Sequence, residues 1–558
     1  MEKAGETDFD GLVSAEHHGE PSGGTLYEWD EPRTASDRLW DLLAGSPERE
    51  RLIRWSGPVA VTLLAAGTRL WNLGSPRALV FDETFYVKDA YTLSKLGYEG
   101  SWPTNPDPGF AQGDVNTYLK LASFVVHPPL GKWIISLGFD WLGATNPVSW
   151  RIMTAIVGIL AVVLVMMIAK YLFKSTMVAT IAGLLLAIDG NAIVMSRVGL
   201  LDNFVMFFAL LGFGAILLDR EWTRVRVSLW IAKRSKQGKT SDWGPSIWWR
   251  PWLFLAGLAF GLDAAVKWNG VYFLAGLAVY TVVSDILARR NAGIHFWISG
   301  TLLKQGPVSF LLTVPIAVAA YLLSWTGWFV TKDGYDRMYA DQPGNAWKGT
   351  FAWVPHVWQS FWQFETQVYN YNIGLRAYHP YAANPFTWLL MTRPTSMYYQ
   401  ASAFGQNGCT FQNCGAEITG IANPLIWYAG TAAILYLLYR LIRYREWRTG
   451  IILAGMGAGY LPWLLYFNRT VFQFYTISFE PFMILAIAYV ASLMLGTRGD
   501  PALGVRGDPV AGRARGERWI LVFLVAAVAI SIFFWPLWTG MQIDLTYMQI
   551  HYWLQSWL

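Results

Sequence analysis

The chain has 558 residues, of which 54% are hydrophobic, 16% aromatic and only 15% charged, with a mean hydropathy of +0.30. Soluble domains carry roughly 25% charged residues, so a water-soluble protein of this size is excluded and the lipid bilayer is the expected surrounding. The formal net charge is only +5 and no Lys/Arg-rich face stands out, so no nucleic-acid partner is expected.

Residues 1–54 are polar and rich in Gly, Ser and Glu ("ETDFDGLVSAEHHGEPSGG"). That composition predicts a disordered tail; it is not a cleavable signal peptide, because no apolar core segment is present. From residue 55 onward, apolar runs recur near the ~20 residues that cross ~30 Å of hydrocarbon. They predict spans at 55–74, 148–172, 175–192, 201–218, 252–268, 270–288, 307–330, 422–439, 450–467, 471–495 and 519–540, about eleven in all.

Positive charge alternates between the connections. Arg49, Arg51 and Arg54 precede the first span, and Arg224, Arg226, Lys233, Arg234 and Lys236 follow the fourth. Arg289 and Arg290, then Arg440 to Arg448, then the stretch "RGDPVAGRARGER" mark later connections. Lys/Arg-rich loops stay in the cytoplasm. The N-terminus is therefore expected inside, and an odd number of spans leaves the C-terminus outside, in a multi-pass plasma-membrane protein. The predicted fold is an all-α polytopic membrane protein. It divides into a cytoplasmic tail (1–54), a catalytic transmembrane module (55–330) with an outer loop at 75–147, a second outer loop (331–421) and a C-terminal transmembrane module (422–558).

Both outer loops exceed the ~12–15 residues beyond which a loop is usually functional. In the second, Val357, Phe361, Phe364 and Val368 form a helical stripe within "HVWQSFWQFETQVYNY". The Trp and Tyr of that helix suit the headgroup level, which reads as a helix lying in the interface; a buried core helix gives the same pattern. Cys409 and Cys414, the two cysteines, also lie in this loop. Outside the cytoplasm a disulfide is their natural state, and no nearby His or Cys completes a zinc site.

Within the first loop, "FDETFY" places Asp82 and Glu83 side by side at the membrane surface. Taken alone, the pair reads as a helix N-cap and a first-turn acid. Cations on the same side argue for more: Arg69, Arg151, Arg197, Lys267 and Arg469 all fall near outer span ends. Such cations are disfavoured there unless used, although each also has acids such as Asp189, Asp202 or Asp263 to pair with. Together they suggest a site for an anionic lipid headgroup, with Arg forking onto phosphate oxygens and Lys acting as a point charge. A carboxylate beside such a site can take the proton from an attacking hydroxyl while the cations hold the leaving phosphate. That chemistry predicts glycosyl transfer from a lipid-phosphate sugar.

The ordered set "FDE", "VHPPLGK", "WRIMTAIVG", "AIDGNAIVMSRVGLLDN", "AVKWNGVY" and "NRTVFQFY" resembles the protein O-mannosyltransferases, most closely their actinobacterial branch, from about residue 55 to the C-terminus. The resemblance implies a GT-C glycosyltransferase. It would move mannose from polyprenyl-phosphate mannose to Ser or Thr hydroxyls of secreted proteins, inverting the anomeric carbon, with translocating chains delivered by the Sec machinery. It implies that Asp82 is the catalytic base and Glu83 the neighbour that shapes its site. Arg69 and Arg151 match arginines the family needs, and Arg197, Lys267 and Arg469 take a donor-phosphate role. His127, Pro128, Pro129 and Lys132 match the motif that positions the first loop. Eukaryotic members carry a β-trefoil domain between spans seven and eight; here 331–421 takes that place, so acceptor selection through such a domain is not expected.

Two rivals stay open. A GT-C transferase with a lipid or cell-wall glycan acceptor has the same architecture. A transporter or flippase would show inverted repeats and polar groups near mid-bilayer, which the sequence does not. No obligatory metal is expected, although adjacent carboxylates offer oxygens to Mg²⁺ or Mn²⁺.

Overall fold

A computed structural model describes residues 42, 46–240, 242–496 and 509–558. Most of the predicted N-terminal tail therefore lies outside the described residues, as does part of the Gly/Arg-rich stretch before the last span. The tail boundary at 54 needs correction: the first helix runs Pro47–Leu70. Ser46 caps it by accepting the Arg49 N–H, Pro47 opens it, and Glu48 and Glu50 sit in its first turn, all favourable at a helix start.

Each predicted span coincides with helical structure. Among the described residues, seven helices are long and apolar enough to cross a membrane, and eight if one bent pair counts as a single span. The bent pair is Thr176–Ile188 and Gly190–Arg197, which meet at 61°. Asp189 makes the break. Its carboxylate caps the second helix, accepting the Asn191 N–H at 2.8 Å and the Ala192 N–H at 3.3 Å. Gly190 is required at the corner, since a Cβ there would lie 2.1 Å from Trp538 and 2.2 Å from the Ile421 carbonyl. The helices Pro47–Leu70, Pro251–Val266 and Glu480–Met494 also occupy predicted spans but are not among the seven. Between Pro251–Val266 and Gly270–Asn291 the chain breaks at Lys267, which adopts extended backbone.

The 75–147 connection is built, not loose. It carries the helices Glu83–Leu96, Asp107–Gln112 and Leu130–Leu142. The 331–421 connection carries His356–Gly374, whose stripe faces protein: Phe361, Phe364 and Val368 are buried against Val125, Trp325 and Trp328. The other side shows Trp358, Trp362, Tyr369 and Tyr371 outward. The stripe thus holds the helix on the protein.

One local feature departs from the all-α expectation. A three-stranded antiparallel sheet forms from β1 (Ser396–Ala403), β2 (Asn413–Thr419) and β3 (Ile543–Asp544), in the order β1-β2-β3. Cys409 and Cys414 are joined as a disulfide at the end of this hairpin. The strands are short and of mixed polarity, too weak a pattern to announce themselves in the sequence.

Candidate functional site

Asp82 stands at the N-terminus of the Glu83–Leu96 helix but makes no side-chain cap hydrogen bond. Its neighbour does the anchoring. Glu83 is fully buried, and each of its carboxylate oxygens is engaged twice. Oε1 accepts from Arg151 Nε at 2.8 Å and the Gly199 N–H at 2.7 Å; Oε2 accepts from Arg151 Nη2 at 2.8 Å and the Val80 N–H at 2.7 Å. The adjacent carboxylates therefore do not face one point, and Glu83 has no oxygen left for an ion. Among the described residues, no group of three or more His, Cys, Asp or Glu side chains is placed to hold a metal.

Three of the five expected phosphate cations lie elsewhere. Arg69 donates to the Ala187 and Leu186 carbonyls at 3.0 and 3.1 Å, at the C-terminal end of the Thr176–Ile188 helix. Arg197 donates to the Trp71, Thr68 and Arg69 carbonyls at 2.6, 3.2 and 3.3 Å, at the end of the first helix. Helix C-termini leave carbonyls unsatisfied and negative, and a guanidinium answers both needs. Besides Glu83, Arg151 donates to the carbonyls of Leu73, Pro76 and Ala78 at 3.2, 3.0 and 2.8 Å. All three guanidinium groups are buried. Each donates to backbone carbonyls, because polar backbone turning at a helix end needs donors.

Lys267 and Arg469 do meet. They line a cavity of about 100 Å³ together with His127, Asp202, Asn269, Asn372 and the aromatic rings of Trp268, Tyr272, Tyr369, Trp463, Tyr466 and Tyr475. Lys267 Nζ lies 2.7 Å from Asp202 Oδ2, with its ammonium 5.0 Å from the ring centre of Tyr475 and 5.8 Å from that of Tyr86. Arg469 donates to Asn372 Oδ1 at 2.8 Å and keeps its Nε buried without a partner. The His356–Gly374 helix therefore closes one wall. It is tied to another wall by Tyr321, which donates to Glu365 at 2.6 Å and accepts from Trp268 at 3.0 Å.

Asp82 lies within the field of this cavity's Lys267: its Oδ2 is 3.4 Å from the hydroxyl of Tyr86, one helical turn along, and the Tyr86 ring centre is 5.8 Å from the Lys267 ammonium. Burial raises the Asp82 carboxyl to about 6; Lys267 pulls it down, Asp202 pushes it up, and the Tyr86 hydroxyl lowers it slightly. Such a group is ionised at neutral pH yet basic enough to take a proton. Burial, then Lys267, Lys132 and Arg469, hold the His127 imidazole well below its ordinary value, so it faces the cavity uncharged.

The rest of the first-loop motif sits behind the site. Pro129 precedes the Leu130–Leu142 helix, and buried Lys132 pairs with Glu99 and approaches Asp89 at 3.9 Å. Asp202, Tyr475 and Asn372 are cavity residues that the sequence alone does not assign to the site, and Tyr86 stands beside Asp82. Tyr86 and Tyr475 lay within the quoted motifs, and Asp82 to Tyr86 is an i, i+4 spacing that places both on one helix face.

Apolar helices around a cationic, aromatic cavity, with a carboxyl near its Lys267, fit a membrane-embedded glycosyltransferase. Residues 59–324 match the family model described as dolichyl-phosphate-mannose-protein mannosyltransferase, and 357–557 that of the C-terminal four-transmembrane region of protein O-mannosyltransferase. A polyprenol-phosphate-mannose–protein mannosyltransferase of Mycolicibacterium smegmatis is 31% identical over 91% of this chain and 94% of its own. One of Mycobacterium tuberculosis is 30% identical over 91% and 92%. The solved Saccharomyces cerevisiae protein O-mannosyltransferase Pmt1–Pmt2 complex bound to the sugar donor shares the fold, with a TM-score of 0.63 at 14% identity over 90% of this chain and 92% of that one. The chain belongs to the protein O-mannosyltransferase family.

Proposed function

We propose that the site transfers mannose from polyprenyl-phosphate mannose to Ser and Thr hydroxyls of proteins, with Asp82 as base and Lys267 and Arg469 as the phosphate-holding pair. The observation that carries this reading is the convergence of those two cations in one cavity, with Asp82 linked to Lys267 through the Tyr86 side chain. The acceptor oxygen attacks the anomeric carbon as its proton passes to Asp82. The bond from that carbon to the phosphate oxygen breaks, and its electron pair leaves with the lipid phosphate. A single displacement of this kind inverts the anomeric centre.

Cations matched to the leaving phosphate supply the stabilisation that is usually the largest contribution in such a site. Because Lys267 and Arg469 are positioned for it, the reading needs no obligatory Mg²⁺ or Mn²⁺. Uncharged His127 and the aromatic faces suit a neutral sugar ring. Arg69, Arg151 and Arg197 hold the backbone that presents Asp82, and Glu83 fixes its helix.

The charge pattern of the connections favours a cytoplasmic N-terminus, with the Asp82 cavity and the C-terminus on the outer side. Acceptors then arrive as chains leaving the Sec machinery, before they fold. The test is incubation of purified enzyme with polyprenyl-phosphate mannose and a Ser/Thr-rich peptide, with and without EDTA. Mannosylated peptide in both arms is expected. Mannose found only on a lipid or glycan acceptor sinks the protein-acceptor reading, and loss of activity in EDTA sinks the metal-free one.

A further inference from the structure

The two cations of the cavity are not equivalent. Arg469 rests against neutral Asn372, whereas Lys267 already has an anion, Asp202, at 2.7 Å. Asp202 opens the Asp202–Lys236 helix, where the helix dipole favours a carboxylate. Both members of the pair are nearly buried, at 2% and 5% exposure, yet both line the cavity. A phosphate arriving at Lys267 therefore competes with a resident carboxylate.

That competition has a purpose in the charge balance of the reaction. The donor is a phosphodiester with one negative charge. The product is a phosphate monoester, which carries about −1.5 to −2 at pH 7. A purely cationic site would hold the product more tightly than the donor and stall after transfer. We propose that Asp202 is a positioning residue for product release, whose carboxylate recaptures the Lys267 ammonium from the departing lipid phosphate. The inference rests on the reading of Lys267 as a phosphate-holding group. The rings of Tyr475 and Tyr86 flank the ammonium, with centres 5.0 and 5.8 Å away.

Two inhibitors that lack the sugar test it: polyprenyl phosphate and its monomethyl diester, which differ by the extra charge. In the wild type the two should inhibit with similar constants. In Asp202→Asn the monoester should inhibit about tenfold more strongly than the diester, with kcat reduced and donor KM unchanged or lower. Asp202→Glu should restore the wild-type ratio. A role confined to stabilising the fold would lower thermal stability without moving that ratio. A wild-type enzyme that already prefers the monoester tenfold overturns the proposal, even if Asp202→Asn does not fold. An unchanged ratio in folded Asp202→Asn also overturns it, and the phosphate reading survives if Lys267→Met still raises donor KM. If Lys267→Met leaves donor KM untouched, the phosphate reading falls and the release role with it.

Discussion

Arg151 grips Glu83 along two parallel contacts, Nε to Oε1 and Nη2 to Oε2, each 2.8 Å long. The pair is sealed from solvent and holds together a helix start, a helix end and the segment between them. Because Asp82 is the residue next to Glu83, its position is inherited from this ion pair.

Breaking the pair leaves a buried charge without its partner, which typically costs about 3–5 kcal/mol. Arg151→Ala and Glu83→Gln should therefore lower the unfolding temperature in detergent, with activity falling through loss of folded enzyme. Donor KM of the folded fraction should stay within a few-fold of wild type. A folded Arg151→Ala enzyme of normal thermal stability and strongly raised donor KM would return Arg151 to the phosphate site.

Asp82→Asn keeps the shape and removes the base. Membrane insertion and donor binding should persist while turnover falls by at least ~10²-fold, the ordinary share of a positioned base. Single-turnover measurement with saturating donor checks it, and a wild-type rate in the variant would remove Asp82 from the reaction.

Protonation should act on the same atom. Asp82 works only when ionised, and burial raises its carboxyl to about 6. kcat/KM should therefore be full above that value and decline as pH drops through it. Lys267 stabilises the ionised form, so Lys267→Met should shift the acid limb to higher pH in addition to weakening donor binding. A limb that stays in place in Lys267→Met would separate the two residues.

Charged hydrogen bonds to a ligand are worth roughly 1.5–3 kcal/mol each. Arg469→Ala should accordingly raise donor KM about 10- to 100-fold while leaving thermal stability near wild type, since its neighbour Asn372 is neutral. Donor titration by competition with polyprenyl phosphate reads this directly.

Sidedness has its own test. Ser235 is exposed near the end of the Asp202–Lys236 helix, and the native cysteines form a disulfide. Ser235→Cys should react with an impermeant thiol reagent only from the cytoplasmic side. Labelling of intact cells from outside would invert the orientation of the whole chain.

Length and apolar periodicity carry long-range order in one dimension, so the helical membrane class was legible from residues alone, as was the presence of two long structured connections between spans. Asp82 drew notice in the same way, because an acid beside a span is conspicuous against an apolar background. Direction and partnership were not legible. Arg69, Arg151, Arg197, Lys267 and Arg469 look alike along the chain, each a cation near a span end. Only packing shows that the first three answer backbone carbonyls and Glu83, while the last two, distant in sequence, open onto one cavity. The same holds for Asp202 and Lys267, which lie on separate helices: an ion pair depends on distances between elements, and local pattern does not encode those distances.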